Sequence, residues 1–423
     1  MNIKDILSII DGVILNIPKN INVLINNISM DSRNIKSNDI FIAVNNGYLY
    51  IEDAISNGAI LVITDKDIRI TKDICILKVS DIKTAILRLV LLIRKRYRYI
   101  PLIAITGSVG KTTTKELISD VLETKYNVLK NISNHNNYLG VASTMFNLKE
   151  DYDFIVLEIG MNHLGEIDEI SRSVIPDICI ITNIGTSHIG NLGSKKNIIK
   201  AKLEILNGNK NAKLLMLKKT LPRFKYPYLD RCKFKISHIK INDKMSFDLK
   251  LNDKYKLTFN IPNIKYIDNI LLTLGLLKYY CLDEKEVIKA IESYNGINGR
   301  MMIYKYSNYT LIDDTYNSSY ESLCGLINYI KRLKNPLLII GDIKELGIYS
   351  VKIHKRINKL LKSINKNNIL LVGEYTKYIT GIHFNDNEDV IDYLSNINLD
   401  GYTIAIKGSR LMHLEQIVDF LKK

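Results

Sequence analysis

The sequence predicts an α/β protein built from three domains. Three observations carry that prediction. The chain has 423 residues, and roughly 150 residues make a domain. Continuous apolar runs alternate with amphipathic stretches, the pattern of parallel strands crossed by helices. Residues 105–114 place glycines and Lys-Thr where an apolar run would turn into a helix.

The elements follow in order. In residues 1–98, Asp39–Val44 and Ala59–Thr64 read as strands and Asp81–Tyr97 as an amphipathic helix. A second rhythm fills 99–297. Its buried strands are Ile100–Thr106, Phe154–Ile159 and Asp177–Thr182, with a helix from Lys111 to Thr124, and Lys213–Lys218 reads as a further strand. Met245–Asn260 alternates like a hairpin, and Ile267–Tyr279 and Glu284–Tyr294 look helical. A third rhythm fills 298–423. Strands Thr310–Asp314, Pro336–Ile340, Ile369–Val372 and Tyr402–Lys407 alternate with helices Tyr320–Leu333, Val351–Ile364, Asp386–Leu394 and Leu411–Leu421. This alternation predicts a Rossmann-like, doubly wound C-terminal domain.

Composition narrows the class. Hydrophobic residues make up 46% and charged residues 24%, ordinary globular values that exclude disorder for most of the chain. The net charge of +15 suits nucleic acid, anionic phosphorylated substrates, or simply a Lys-rich surface. The densest basic run, Arg94-Lys95-Arg96-Tyr97-Arg98, reads as a solvated helix end. Cys75, Cys179, Cys232, Cys281 and Cys324 are far apart and form no Cys-x-x-Cys pair. A reducing cytosol is the expected home, without disulfides or zinc. No signal peptide is expected, and Ala85–Ile93 is too short to span a bilayer. The expectation is a soluble cytoplasmic protein with no stable membrane insertion.

The clearest chemical signal is Thr106-Gly107-Ser108-Val109-Gly110-Lys111-Thr112-Thr113. Glycines let a backbone approach phosphate closely, and a helix N-terminus adds partial positive charge. Lys111 would reach the outer phosphates, and the Thr112 hydroxyl would hold Mg²⁺. The first glycine falls two residues later than in the general phosphate loop.

That shorter form resembles the loop of the Mur ligase family, ATP-dependent amide ligases of peptidoglycan synthesis. Further blocks share the resemblance along nearly the whole chain. They include Met30-Asp31-Ser32-Arg33, Asn134–Gly140, Glu158–Ile167, Thr182–His188, Ala201-Lys202-Leu203-Glu204, Gly299-Arg300, Asp313–Asn317, Gly341–Gly347 and Lys407–Arg410. The Glu158–Ile167 and Gly341–Gly347 blocks are most similar to the D-alanyl-D-alanine-adding branch.

The resemblance implies a reaction and its residues. The substrates would be ATP, UDP-MurNAc-tripeptide and D-Ala-D-Ala, joined through an acyl phosphate. No nucleic-acid partner is expected, and nothing in the sequence demands more than a monomer. Lys111, Glu158, His188 and Lys202 would be catalytic. Thr112, Glu158, His188 and Lys202 would hold two Mg²⁺ ions, with Lys202 carbamylated. Besides the loop, Asn137, Asn269, Arg300, Asp314 and Asn317 would bind nucleotide, with Tyr316 beside the adenine and Asp314 paired to Arg300 or the ribose. Asp31, Ser32 and Arg33 would hold the UDP end in a small N-terminal α/β UDP-binding domain. Asn162 and His163 would face the peptide. Lys407, Ser409 and Arg410 would grip the D-Ala-D-Ala carboxylate. The central domain would be a P-loop-type ATPase with a mostly parallel sheet, onto which the third domain closes.

The chain departs from the family pattern at Asn46–Asp53, Lys265-Tyr266 and Ser318-Ser319-Tyr320. Alternatives stay open. One is a sister amide ligase, such as a folylpolyglutamate-type enzyme with another acceptor. Another is a non-catalytic ATP-binding protein, which would have no use for the Glu158, His188 and Lys202 apparatus. A nucleic-acid ATPase would need a clustered basic face, and the charge here is dispersed.

Overall fold

A computed structural model describes residues 2–220, 229–231, 234–242 and 244–422. Cys232 lies outside the described residues.

The N-terminal sheet has five strands, ordered Val13–Asn16, Cys75–Lys78, Ala59–Thr64, Asp39–Ile42 and Ile28–Ser29. The first pair is antiparallel and the rest are parallel. Helix Ile82–Arg96 follows, capped by Asp81, whose carboxylate accepts the Lys83 and Thr84 N–H groups. One end of this helix differs from expectation. Arg94 is sealed from solvent rather than solvated. Its guanidinium donates to the carbonyls of Val174, Tyr97 and Ile100 and pairs with Asp177 at 2.9 Å. Burial pulls its pKa down to about 10. The apolar period hides this role, because its partners lie some 80 positions away or past the helix end.

The central sheet has six parallel strands. Their order is Leu229–Arg231, Lys213–Met216, Ile178–Ile181, Leu102–Thr106, Phe154–Glu158 and Val128–Lys130. Leu102–Thr106 is buried throughout, as a continuous apolar run requires. Chain direction across the sheet reverses beside it. The loop leaving its C-terminal end therefore opens into a switch-point crevice, where such sheets bind ligands. The expected hairpin is present as Met245–Lys250 and Lys254–Phe259. Lys235–Ile241 adds a third antiparallel strand that was not expected. Its mostly exposed residues give it little apolar alternation to read.

The C-terminal sheet also has six strands, ordered Met302–Lys305, Thr310–Asp313, Thr403–Lys407, Pro336–Gly341, Ile369–Val372 and Ile382–Phe384. Only its first pair is antiparallel. The helix expected from Leu411 begins instead at Glu415. Arg410–Met412 forms one 3₁₀ turn, and His413 takes the left-handed conformation that ends it. No helix among the described residues is long and apolar enough to cross a membrane.

Candidate active site

The phosphate loop joins strand Leu102–Thr106 to helix Lys111–Glu123. Gly107 has φ +152°, and a Cβ there would lie 1.8 Å from Thr182 Oγ1. Only glycine fits. The loop is held from two sides. Asn183 accepts the Val109 N–H through Oδ1 at 3.0 Å and donates through Nδ2 to the Val109 carbonyl at 2.7 Å. Asn269 donates to the Gly110 carbonyl at 2.9 Å and to Thr114 Oγ1 at 2.8 Å. Asn269 thus supports the loop from beneath.

Lys111 folds back to donate to the Gly107 carbonyl at 3.0 Å. Burial lowers its pKa, opposed by the nearby Glu158 carboxylate and reinforced by Arg300. Thr112 Oγ1 donates to Glu158 Oε2 at 2.7 Å and accepts from the Arg300 guanidinium at 3.0 Å. Glu158 is buried at its strand end, and Asn136 donates to its other oxygen at 2.7 Å. Arg300 stacks over the Tyr316 ring at 4.1 Å. The Tyr266 hydroxyl donates to the Arg300 carbonyl at 3.2 Å. Tyr266, at one of the departures from the family pattern, is therefore part of the hinge.

His188 takes a left-handed conformation, and its Nδ1 lies 2.8 Å from Glu345 Oε2 of the C-terminal domain. That contact holds the Glu345 carboxyl below the usual range, against burial. Lys202 is buried near the end of helix Lys195–Leu203. Burial, with the Lys111 charge nearby, drives its pKa well below the ordinary lysine value. Glu204 instead caps a neighbouring helix, accepting the Gly165 N–H at 3.0 Å.

A cavity of about 600 Å³ opens between the central and C-terminal domains, and Lys202 and Glu204 lie outside its wall. Lys111, Thr112, Glu158, His188, Arg300 and Tyr316 line it. Asn137, Asn162, Asn269, Asp314 and Asn317 also reach its wall. Asn137 is at the same time the N-cap of helix Tyr138–Phe146.

Of the other expected residues, Lys407 also lines the cavity, and the rest stand elsewhere. Asp31, Ser32 and Arg33 lie in the N-terminal domain, away from this cavity, with Arg33 clasping Asp31 at 2.7 Å. His163 is exposed and outside the cavity wall. Asp314 pairs with Lys407 at 2.7 Å, not with Arg300. Lys407 is fully engaged, donating also to the carbonyls of Asn317 at 3.0 Å and Asp314 at 3.3 Å. Ser409 accepts the Lys344 N–H at 2.8 Å. Of that trio only Arg410 is exposed, 3.4 Å from Glu415. The sequence assigns no role to Asn131 or Lys115, and it marks Asn136 only within a shared block and Tyr266 only as a departure from the family pattern. The Asn-rich run at 131–137 was the one available signal for the asparagines.

The donors suit a nucleotide with Mg²⁺. Thr112 and Glu158 offer adjacent hard oxygens. No cluster of three His, Cys, Asp or Glu side chains forms among the described residues. An ion here would complete its shell with phosphate and water, as Mg²⁺ usually does. On the cavity wall, Arg300 Nε is buried without a hydrogen-bond partner, leaving a donor for a ligand.

Residues 105–271 match the Mur ligase middle domain. The UDP-N-acetylmuramoyl-tripeptide–D-alanyl-D-alanine ligase of Rickettsia prowazekii (strain Madrid E) is 30% identical, over 93% of this chain and 95% of that protein. The chain belongs to the MurF-type Mur ligase family. The ligase of the same description from Bacillus subtilis (strain 168) is 28% identical over 98% of this chain and 97% of its own. A crystal structure of MurF from Acinetobacter baumannii superposes with a TM-score of 0.88 at 24% identity, covering 100% of this chain and 98% of that one. MurF from Thermotoga maritima, solved in complex with ADP, gives 0.82 at 21% identity, with 94% and 97% covered. The three-domain MurF fold is thus shared throughout.

Proposed function

We propose that this Mur ligase joins D-alanyl-D-alanine to UDP-N-acetylmuramoyl-tripeptide at the expense of ATP. The observation that carries the reading is the union of Lys111, Thr112, Glu158 and Arg300 around one interdomain cavity.

The phosphate-loop amides and Lys111 bind the triphosphate. Thr112 and Glu158 would hold Mg²⁺, which supplies charge neutralisation between anionic reactants. A tripeptide carboxylate oxygen attacks the γ-phosphorus, and the bond to the β-phosphate oxygen breaks to release ADP. The amine of D-alanyl-D-alanine then attacks the acyl phosphate carbon. The C–O bond to phosphate breaks, and the amine gives up a proton as the amide forms. Lys111 and Arg300 balance the charge of the transferring phosphoryl group.

Lys202 would act as its carbamate. A neutral amine is the form that attacks CO₂, and burial beside Lys111 favours that form. The product anion, with His188, would serve a second Mg²⁺. We assign residues 1–98 to the UDP-sugar, with Arg33 as an anion contact, and residues 99–297 and 298–423 to ATP and closure. Asn162 and His163 fall on the peptide side. Arg410 offers the acceptor carboxylate an exposed guanidinium, with Ser409 and Lys407 just before it in the chain. A cytoplasmic monomer suffices for this chemistry.

The test is ADP release with ATP, Mg²⁺ and the tripeptide nucleotide, with and without D-alanyl-D-alanine, followed by mass analysis. Release that needs both, with formation of the pentapeptide nucleotide, is expected. Release that needs neither would overturn the substrate assignment.

A further inference from the structure

Lys115 is sealed from solvent, and the chemistry above makes no use of it. It lies one helical turn after Lys111, on the helix that the phosphate loop opens. Its ammonium donates to the carbonyls of Asn131 and Ser133 and meets Glu116 at 2.7 Å. An ammonium has three protons, and these three acceptors occupy them all.

Asn131 is equally buried. Its side chain does what a strand backbone would do. Strand Val128–Lys130 pairs with Phe154–Glu158 only as far as Lys130 opposite Val156. Beyond that point the Asn131 side chain takes over the pairing. Oδ1 accepts the Glu158 N–H at 2.9 Å, and Nδ2 donates to the Glu158 carbonyl at 2.9 Å. Nδ2 also donates to the His135 carbonyl at 2.8 Å. The main chain is thereby free to leave the sheet. It turns through Ser133, which has φ +50°, and returns with Asn136 facing Glu158. The Gly160 N–H donates to the Asn136 carbonyl at 2.8 Å and closes the circuit.

We propose that Lys115 and Asn131 are positioning residues that lock the Glu158 carboxylate against Thr112 in the geometry the metal–nucleotide complex needs. Lys115 fixes the turn, Asn131 fixes the Glu158 backbone, and the turn delivers Asn136 to the carboxylate. The inference rests on the ligase reading, because it presumes that Glu158 and Thr112 serve a metal-bound nucleotide.

The experiment titrates Mg²⁺ into full-length protein with a fluorescent ATP analogue and reads binding, without turnover. Asn131→Asp keeps size and one acceptor but loses the donor. It is expected to raise the Mg²⁺ concentration for half-maximal nucleotide binding at least fivefold. Asn131→Ser covers the case in which the aspartate does not fold. Lys115→Arg, which restores charge and donors, is expected to stay nearer wild type than Lys115→Met. Hydrogen exchange without nucleotide is expected to quicken over residues 131–137 in Asn131→Asp. Arg94→Met serves as the merely destabilised control and is expected to leave the Mg²⁺ midpoint unchanged. Folded Asn131 variants with a wild-type midpoint and wild-type exchange would overturn the inference alone. A wild-type protein that binds the analogue without regard to Mg²⁺ would overturn the metal reading and this inference with it.

Discussion

Two lysines, one in the central domain and one in the C-terminal domain, are about equally hidden from solvent. Lys202 is 2% exposed and Lys407 is 1% exposed. Their surroundings are opposite. Lys407 meets the Asp314 carboxylate and two carbonyls. Lys202 has no hydrogen bond or ion pair among the described residues, and a second cation, Lys111, stands nearby. A buried charge with a full set of partners belongs to the architecture. A buried amine without partners is costly to leave charged and is poised for reaction.

The largest effect should separate the two by stability. Lys407→Met strands the Asp314 carboxyl, and breaking a buried pair costs about 3–5 kcal/mol. Urea unfolding is expected to show that loss. Lys202→Met should unfold no earlier than wild type, because it removes an unpartnered buried amine. A stable Lys407→Met protein would break the comparison at once.

Next comes activity. Lys202→Ala is expected to slow amide formation roughly 100-fold or more, the scale of losing a preorganised electrostatic group. Short acids that mimic a carbamate should restore part of the rate. An unchanged rate would remove Lys202 from the chemistry.

A smaller effect is expected with pH. The folded protein holds Lys202 well below its ordinary pKa, while the unfolded chain titrates near about 10.4. Between those values the unfolded chain binds more protons, so stability rises with pH. Melting curves in carbonate-free buffer should show wild type gaining on Lys202→Met as pH climbs across that window. Parallel curves would mean that Lys202 stays charged.

The smallest effect belongs to an exposed pair. Arg33 is 86% exposed on its side chain and holds Asp31 in open solvent. Arg33→Ala should leave the melting temperature in place, since such pairs add little stability. It should raise KM for the tripeptide nucleotide about tenfold, the value of one charge-assisted contact. An unchanged KM would place the nucleotide elsewhere.

The same contrast shows what a sequence can reveal. The phosphate loop is legible because its glycines, lysine and threonines are contiguous, and local sterics demand each one. Strand Leu102–Thr106 is legible because burial on both faces needs an unbroken apolar run. Lys407 and Asp314 are 93 positions apart, so neither announces its partner. Arg94 sits in a basic run that looks solvated, yet its guanidinium ties residues of the N-terminal helix to carbonyls of the central domain. Asn131 was one asparagine among several. Only the end of strand Val128–Lys130 reveals that its side chain continues a sheet.

The Thr112 hydroxyl has one proton and two lone pairs to offer. Its proton goes to Glu158 on the neighbouring strand, and one lone pair goes to Arg300 at the hinge. One acceptor site remains. A single oxygen atom is thus where loop, sheet and hinge share a vote. The strand end that carries Glu158 and the start of the third domain are joined across one side chain of the loop.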